Sequence, residues 1–566
     1  MKLVVIGGVA GGASAATRVR RLDESAQIVI FERGQYVSFS NCSLPYYLSG
    51  TVADPEDLVM MMPEDFRSRY NIEVHTHCEV TDIDREAKLV TIKNIVSDKI
   101  WQEAYDKLVI ATGASPIMPK NITGIDLPHV FSVRNVDDVV AIKYCLDSKN
   151  VENVAVVGGG FIGAEVAENL CSAGKKVSVV EGMSQIMATL DYDMVQILHK
   201  ELNDHGVRLY VNTMVTEIEA GQLHIYKDGE SLIIPADAVI MSVGVVPEAG
   251  LAYAAGLSIG STGGIRINRY CQTDDPDIYA VGDVVENFQR QTGAPGRLAL
   301  AGIAQKQARI AANHIYALPS ENKGFISSSC IKLFDLNVAV TGLNEHGARA
   351  SDLTFDSVTV LSSTRVSFMP NADYLMLKLL FEIPTGKLLG AQAIGRGEAD
   401  KRVNVIAALI NMDGTVFDLE EFEHCYAPMF STAKDVVHMA ALTADNVLSG
   451  WLKQVHVQDV RNLVEQNAYI IDVRNEDEFA AGHIINAHNI PLPVLRKRLH
   501  EIPHNVPVYL HCRSGQRSYF AYCCLRGNGF DNVINMSGSF LGLSLYEYFN
   551  DKSQHREKVV TEYNFE

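Results

Sequence analysis

The chain of 566 residues has no Cys-x-x-Cys pair and no cysteine cluster with the spacing of a zinc site. Its ten cysteines lie scattered, which excludes a disulfide framework and reads as reduced thiols in a cytoplasmic protein. No metal is expected. No apolar run reaches the roughly 18 residues that a membrane span needs. No basic and apolar leader precedes Lys2-Leu3-Val4-Val5-Ile6, so no secretory signal is expected. Positive charge is also scarce. The 49 Lys and Arg against 68 Asp and Glu leave a net charge of −19, which argues against nucleic acid as a partner. An anionic substrate stays compatible with that balance, because a local basic patch can sit on an acidic protein.

What is present is an ordinary globular composition, 47% apolar and 21% charged, on a chain long enough for three or four domains. Residues 3–32 read as strand, Gly-rich turn, helix and strand. A second such unit runs from Val154 to Glu181. In the second, Gly158-Gly159-Gly160-Phe161-Ile162-Gly163 fits G-x-G-x-x-G. Its glycines make the turn, admit a pyrophosphate and let helix pack on strand. Glu181 ends the next strand, where a carboxylate accepts both ribose hydroxyls of NAD and repels a 2′-phosphate, so NADH is expected over NADPH. Gly158, Gly160, Phe161, Ile162, Gly163, Glu181 and Gly244 are the candidate NADH contacts. In the first unit Gly7-Gly8-Val9-Ala10-Gly11-Gly12 is a degenerate version, with Val9 where the second glycine belongs. Glu32 at the next strand end supports it. So does Asp283 after Ala280-Val281-Gly282, a position suited to a flavin ribityl hydroxyl. A helix opening near Ala301 would aim its N-terminal dipole at the flavin. Gly7, Val9, Ala10, Gly11, Gly12, Glu32, Arg33, Ala111, Asp283 and Ala301 are the candidate FAD contacts.

Two cysteines carry the chemistry. Cys42 lies in Ser38-Phe39-Ser40-Asn41-Cys42-Ser43-Leu44-Pro45-Tyr46. Dithiol flavoreductases place a second cysteine five positions on, and here that residue is Tyr47, so a single-cysteine redox centre is expected. A helix N-terminus or a nearby cation is expected to keep Cys42 ionised. Cys512 follows the strand Val508-Tyr509-Leu510 and opens a loop that closes on Arg517. Inward-pointing backbone N–H groups there would stabilise a thiolate and then a persulfide. A cysteine phosphatase loop would put its arginine at 518, which is Ser, so sulfur transfer is favoured over phosphate hydrolysis. Cys523 and Cys524 read as helical core. Arg18 and Arg21 share a helix face, and with Arg67 they could hold the phosphates of a large anionic thiol; a solvated face is the alternative. His424 and His438 lie near Tyr426 without a spacing that singles them out.

On these motifs the chain resembles the coenzyme A disulfide reductase family with a fused rhodanese domain, single-cysteine reductases that use FAD and NAD(P)H. The Cys42 segment resembles the family's active-site motif. Tyr426-Ala427-Pro428 with Phe430-Ser431-Thr432-Ala433-Lys434-Asp435 resembles the motif whose tyrosine reaches the partner subunit's cysteine. Asp472-Val473-Arg474, Gly482-His483-Ile484 and the Cys512 loop resemble rhodanese. The family's Tyr-Tyr-Pro-Gly-Ala stretch is matched by Phe368-Met369-Pro370-Asn371-Ala372, which lacks the hydroxyl.

The resemblance implies an α/β fold with two Rossmann-like dinucleotide-binding domains, an α+β dimerisation domain and a C-terminal rhodanese domain. The boundaries expected are 1–112 with 263–322 for FAD, 113–262 for NAD, 323–445 for dimerisation, 446–455 for a linker, 456–550 for rhodanese and 551–566 for a tail. It implies Cys42, Asn41, Tyr426, Cys512 and Arg517 as catalytic residues. It adds Ser38 and Ser43 to Arg18, Arg21 and Arg67 around coenzyme A, and it implies a homodimer. The expected activity is NADH-dependent reduction of coenzyme A persulfide, polysulfide or coenzyme A disulfide, with Cys512 carrying sulfane sulfur. An NADH oxidase or peroxidase using a Cys42 sulfenate, and a non-enzymatic redox-sensing sulfur relay, are the alternatives.

Overall fold

The computed structural model describes residues 1–148 and 151–565. The chain forms two compact units, Met1–Ser184 with Tyr210–Phe325, and Gln185–Leu209 with Ile326–Glu566.

In the first unit the opening β-α-β segment builds a parallel sheet. Its strands run in the order Ile278–Ala280, Lys107–Ile110, Lys2–Ile6, Gln27–Phe31, Glu73–His75. Leu3, Val4, Val5 and Ile6 are all buried, as expected for a parallel strand covered on both faces. The helix Ala10–Leu22 packs on the helix Ala301–Ile315. The late segment thus returns to the first sheet through Ile278–Ala280, which pairs in parallel with Lys107–Ile110. A second parallel sheet holds Lys176–Val180, Asn153–Val157, Ala238–Met241 and Val130–Ser132 in that order. Both sheets place a Gly-rich turn at the carboxyl end of the first strand of a β-α-β unit, where such folds bind nucleotides.

The second unit contains an antiparallel sheet ordered Ser329–Leu333, Leu336–Gly342, Leu388–Gly395, Tyr374–Glu382, Phe355–Ser363. Its helices Ala399–Ile410 and Val436–Leu448 bury one apolar face against it. A separate parallel sheet follows, ordered Gln454–Val455, Val533–Met536, Val508–His511, Tyr469–Asp472, His488–Asn489.

Three features differ from the boundaries read in the sequence. The helix Val436–Leu448 runs into the expected linker and the next sheet begins at Gln454, so only residues 449–453 connect them. That connection is tied down: the Tyr522 hydroxyl donates to Trp451 O at 2.8 Å. The expected tail begins inside the helix Ser539–Gln554, and Val559 and Val560 are buried in the core beyond it. The segment Gln185–Leu209, expected with the NAD-binding residues, packs in the second unit. One reason is packing of the helix Tyr192–Asp204 on the helix Ser539–Gln554, and another is electrostatic. Lys378 Nζ, 1% exposed, lies 3.1 Å from Asp191, 2.8 Å from Asp193 and 2.7 Å from Glu345. A buried ammonium needs this company, and the acids at the start of the helix Tyr192–Asp204 supply it.

Candidate active sites

A cavity of about 540 Å³ in the first unit is lined by Gly7, Glu32, Ala111, Asp283, Ala301 and Cys42. Val9, Ala10, Gly11, Arg33 and Asn41 also border it. Residues drawn from distant parts of the chain therefore meet at the carboxyl ends of the first sheet's strands. Gly12 is forced by close packing, since a Cβ there would lie 1.8 Å from Gly7 O. Glu32 accepts from Gly8 N and Gly34 N, both at 2.8 Å. The helix Ala301–Ile315 begins at the cavity, so its unpaired N–H groups are available to an electron-rich ring edge. These residues fit an FAD. Arg33 borders the cavity, but its guanidinium is held by Glu248 at 3.0 and 3.1 Å.

The second Gly-rich turn repeats the arrangement. A Cβ on Gly163 would lie 1.9 Å from Gly158 O, whereas Gly160 has no neighbour within 4 Å, leaving room for a pyrophosphate. Glu181 accepts from Gly159 N at 2.6 Å and Met183 N at 2.8 Å, as Glu32 does in the first turn. Phe161 and Ile162 open the helix Phe161–Ser172, and Gly244 follows the strand Ala238–Met241. These residues fit NADH.

Cys42 sits on a single tight turn, Asn41–Ser43, just before the helix Leu44–Ser49. The turn is braced by Ser40 N to Leu58 O at 2.8 Å and by the Ser40 and Ser43 hydroxyls, 2.8 Å apart. Ser38 is buried with φ +50°, and Asn41 donates to Arg134 O at 3.4 Å. Cys42 opens onto the cavity, yet enough protein surrounds it for desolvation to raise the thiol. Glu165 and Asp283 raise it further. This corrects the expected cation: the chain's own charges oppose the thiolate. Glu165 is itself pushed up to about 7 by burial and by Glu168.

Arg18 donates to Asn313 Oδ1 at 3.0 and 2.8 Å. Desolvation, Arg309 and Arg21 lower it, so three guanidiniums crowd one place. Arg67 is exposed on the helix Pro63–Tyr70.

In the second unit, Cys512 is buried at the end of the strand Val508–His511. Gly515 N lies 3.1 Å from its Sγ, at the start of the helix Gln516–Gly527. The Ser539 hydroxyl stands 4.0 Å from the same sulfur and accepts from Cys512 N at 3.2 Å. Phe540 N and Leu541 N donate to Cys512 O and Arg513 O, so a second helix start fixes the loop backbone. Arg517, read as closing the loop, is engaged by Glu478 through bonds of 2.6 and 2.7 Å, and the Cys512 sulfur is among the charges that act on it. A bidentate carboxylate satisfies that guanidinium.

Tyr426 is 48% exposed on the loop between the helices Val416–Glu420 and Val436–Leu448. Among the described residues its hydroxyl has no hydrogen-bond partner. The loop is pinned by His438 Nε2 donating to Phe422 O at 2.6 Å and His424 Nε2 donating to Thr432 O at 3.2 Å. Phe368 is 80% exposed. Buried Arg402 bonds both Thr364 O and Asp435 Oδ2 at 3.0 Å, joining the segment before Phe368 to the end of the Tyr426 loop.

Sequence reasoning missed Glu165, Glu478, Ser539, Arg309 and Arg402. Glu165 was within reach, two residues past the last glycine of the motif on the same helix. The others act on partners far away in the chain.

Comparison with known proteins gives three matches along the chain. Residues 1–308 match the family described as pyridine nucleotide-disulphide oxidoreductase, residues 328–437 its dimerisation domain, and residues 456–545 a rhodanese-like domain. A coenzyme A disulfide reductase of Staphylococcus aureus (strain JH9) is 32% identical over 444 residues, 78% of this chain and 99% of that protein. The structure of reduced CoADR-RHD from Bacillus anthracis superimposes with TM-score 0.93 and 39% identity, covering 97% of this chain and 98% of that one. An NAD-dependent persulfide reductase from A. fulgidus superimposes with TM-score 0.89 and 34% identity, covering 95% and 99%.

Proposed function

Since the chain belongs to the pyridine nucleotide-disulphide oxidoreductase family and carries a rhodanese domain, we propose that it uses FAD and NADH to reduce persulfides or disulfides of coenzyme A at Cys42. Cys512 brings sulfane sulfur to this chemistry. The observation that carries the reading is the cavity in which Cys42 lies beside the Gly-rich turn, Glu32, Asp283 and the start of the helix Ala301–Ile315. Relatives named as coenzyme A disulfide reductase and persulfide reductase support the substrate class.

Bound in the cavity, FAD supplies a two-electron relay from NADH to sulfur. The turn Gly158–Gly163 and Glu181 hold the dinucleotide. Cys42 Sγ attacks the inner, R-bearing sulfur of a persulfide RSSH, forming Cys42–S–S–R and releasing HS⁻. Two electrons then cleave this bond, returning the Cys42 thiolate and RS⁻. The sum is NADH + RSSH + H⁺ giving NAD⁺ + RSH + H₂S. The crowded guanidiniums of Arg18, Arg21 and Arg309 offer the charge that coenzyme A phosphates need. Tyr426, with its hydroxyl uncommitted, serves the cysteine of a second subunit by protonating the departing thiolate. The dimerisation domain supports a homodimer. Among the described residues no helix is long and apolar enough to cross a membrane.

The test is steady-state NADH oxidation by wild type and Cys42→Ser with coenzyme A persulfide, coenzyme A disulfide, polysulfide and oxygen compared side by side. The expected result is a sulfur substrate outpacing oxygen in wild type, with sulfur turnover lost in Cys42→Ser while NADH still reduces the flavin. Oxygen as the fastest acceptor would move the protein to the oxidase class.

A further inference from the structure

An antiparallel sheet of the first unit, ordered Thr213–Glu219, Gly221–Lys227, Glu230–Ala236, takes no part in the chemistry above. Its inner face is apolar, with Val215, Ile218, Leu223, Ile225 and Ile234 buried in one cluster. Strict alternation from Val215 would turn Glu217 inward as well. A register shift between Val215 and Glu217 prevents this, and Glu217 then pairs with His224, Ile218 with Leu223 and Glu219 with Gln222. The bulge thus sets Glu217 and Glu219 on the outer face beside His224. The backbone beneath them is braced. Ile218 N donates to Thr123 O at 2.8 Å, and Thr216 Oγ1 donates to His224 O at 3.3 Å. A Cβ on Gly124 would lie 2.1 Å from Ile218 O, so the neighbouring turn presses directly on this strand. One donor atom from each of Glu217, Glu219 and His224 lies within 4.8 Å of the other two. His224 Nε2 is shielded from solvent and makes no hydrogen bond, with Glu219 Oε2 3.4 Å away. Among the described residues neither carboxylate pairs with a lysine or an arginine.

We infer that Glu217, Glu219 and His224 bind a divalent transition-metal ion, with Zn²⁺ as the ion the donor set selects. Two carboxylates without a basic partner and an imidazole nitrogen without a bond face one point, and a divalent cation satisfies all three. One nitrogen and two oxygens suit Zn²⁺, which accepts both donor types. Mg²⁺ and Ca²⁺ favour oxygen ligands alone. Three protein ligands leave the fourth tetrahedral position to water. The Glu219 side chain, 50% exposed, forms the open side through which an ion enters. Because the ligands come from both arms of a hairpin, the bound ion fastens Thr213–Glu219 to Gly221–Lys227. The ligands are distinct from Cys42, from both Gly-rich turns and from Glu181, so no step of sulfur reduction passes through the metal.

The experiment titrates Zn²⁺, and separately Mg²⁺, into the FAD-loaded full chain in a calorimeter, for wild type, His224→Ala, Glu217→Gln and Gln222→Ala. Accessible thiols are first alkylated with iodoacetamide, which removes competing thiolates such as Cys42. Wild type should take up Zn²⁺ at this site and show no comparable binding of Mg²⁺. His224→Ala and Glu217→Gln should each weaken Zn²⁺ binding at least about 10-fold, the lower end of what changes to outer partners of a metal site cost. Gln222→Ala, altered on the same face but outside the donor set, should bind as wild type. Without zinc, all variants should keep the wild-type rate of flavin reduction by NADH before alkylation, which shows that the first unit is folded. A wild type that takes up no Zn²⁺, or an affinity left unchanged by both His224→Ala and Glu217→Gln, would overturn the inference. Equal affinity for Mg²⁺ and Zn²⁺, or a Gln222→Ala variant as impaired as His224→Ala, would also overturn it, reducing the cluster to an acidic patch.

Discussion

The Cys42 thiol sits where its ionisation is disfavoured, first by burial. Desolvation, Glu165 and Asp283 all disfavour the thiolate. Glu165, pushed up to about 7, gains its charge as pH passes neutrality. Glu165→Gln should therefore speed alkylation of Cys42 by iodoacetamide in the FAD-free protein, and the ratio of variant to wild-type rate should grow between pH 6 and 8.5. A ratio that stays flat across that range would remove Glu165 from the account. Tyr426 poses a second question at this scale. If its free hydroxyl protonates the leaving thiolate, Tyr426→Phe should lower turnover on sulfur substrates by more than about 100-fold, as for a positioned general acid. A loss near 10-fold would reduce its part to a hydrogen bond. An unchanged kcat would strike it from the site. The residues that sequence alone disclosed were those with a short-range signature: Cys42 in its motif, Glu181 at a strand end after a Gly-rich turn, and Cys512 after an apolar strand. Ser539 and Glu478 were not legible, because each acts on a residue 27 or 39 positions away and no local pattern announces such a pairing.

At the scale of elements, the rhodanese sheet is fastened to the antiparallel sheet by its first strand. Gln454 Nε2 donates to Ser357 O at 2.8 Å, and His456 Nε2 donates to Asp356 at 3.1 Å. Burial and Lys378 oppose the charge on His456, but the hydrogen bond and charge of Asp356, aided by Glu345, raise the imidazole above its ordinary range. Burial also opposes the Asp356 carboxylate, and His456 and neighbouring donors hold it below its ordinary range. The signs follow. The contribution of His456 is complete below its unfolded pKa, near 6.5, and fades as pH rises through the raised folded value. That of Asp356 is present above its unfolded pKa, near 3.9, and fades as pH falls through the depressed one. Asp356→Asn should therefore lower stability most near pH 6, by about 1–2 kcal/mol, and progressively less toward pH 9, read as the gap between wild-type and variant melting temperatures. A gap that widens with pH would contradict the assignment. This contact also explains why the linker was overdrawn. Gln454-Val455 reads as neutral connecting sequence, and only its pairing with Val533–Met536 makes it a strand. Likewise Asp191 and Asp193 carry no local sign of their partner, because the buried Lys378 they meet lies far along the chain.

For the whole molecule, the order of the domains was legible from strong local patterns: two Gly-rich turns after apolar strands, and a loop opened by Cys512. Its division was only partly so: the return of 263–322 to the opening residues was expected, whereas the placing of Gln185–Leu209 was not. The first sheet is closed by Ile278–Ala280, and the second unit includes Gln185–Leu209, both consequences of pairing between distant residues. Two cysteines in separate units should fail separately. Cys512→Ser is expected to abolish sulfur transfer to cyanide while leaving NADH-dependent reduction of small soluble persulfides at Cys42. Loss of both with an intact fold would make Cys512 an obligatory redox partner. The central claim, that Cys42 alone forms a redox centre working with the flavin, is tested most directly by anaerobic NADH titration. Wild type and Cys42→Ser, each loaded with FAD, are treated with coenzyme A disulfide, freed of small molecules and titrated until the flavin is fully bleached. Wild type should consume about two NADH equivalents per flavin and release one thiol, and Cys42→Ser about one with no thiol, because a mixed disulfide at Cys42 stores one electron pair beyond the flavin's own. One equivalent for both proteins would contradict the account.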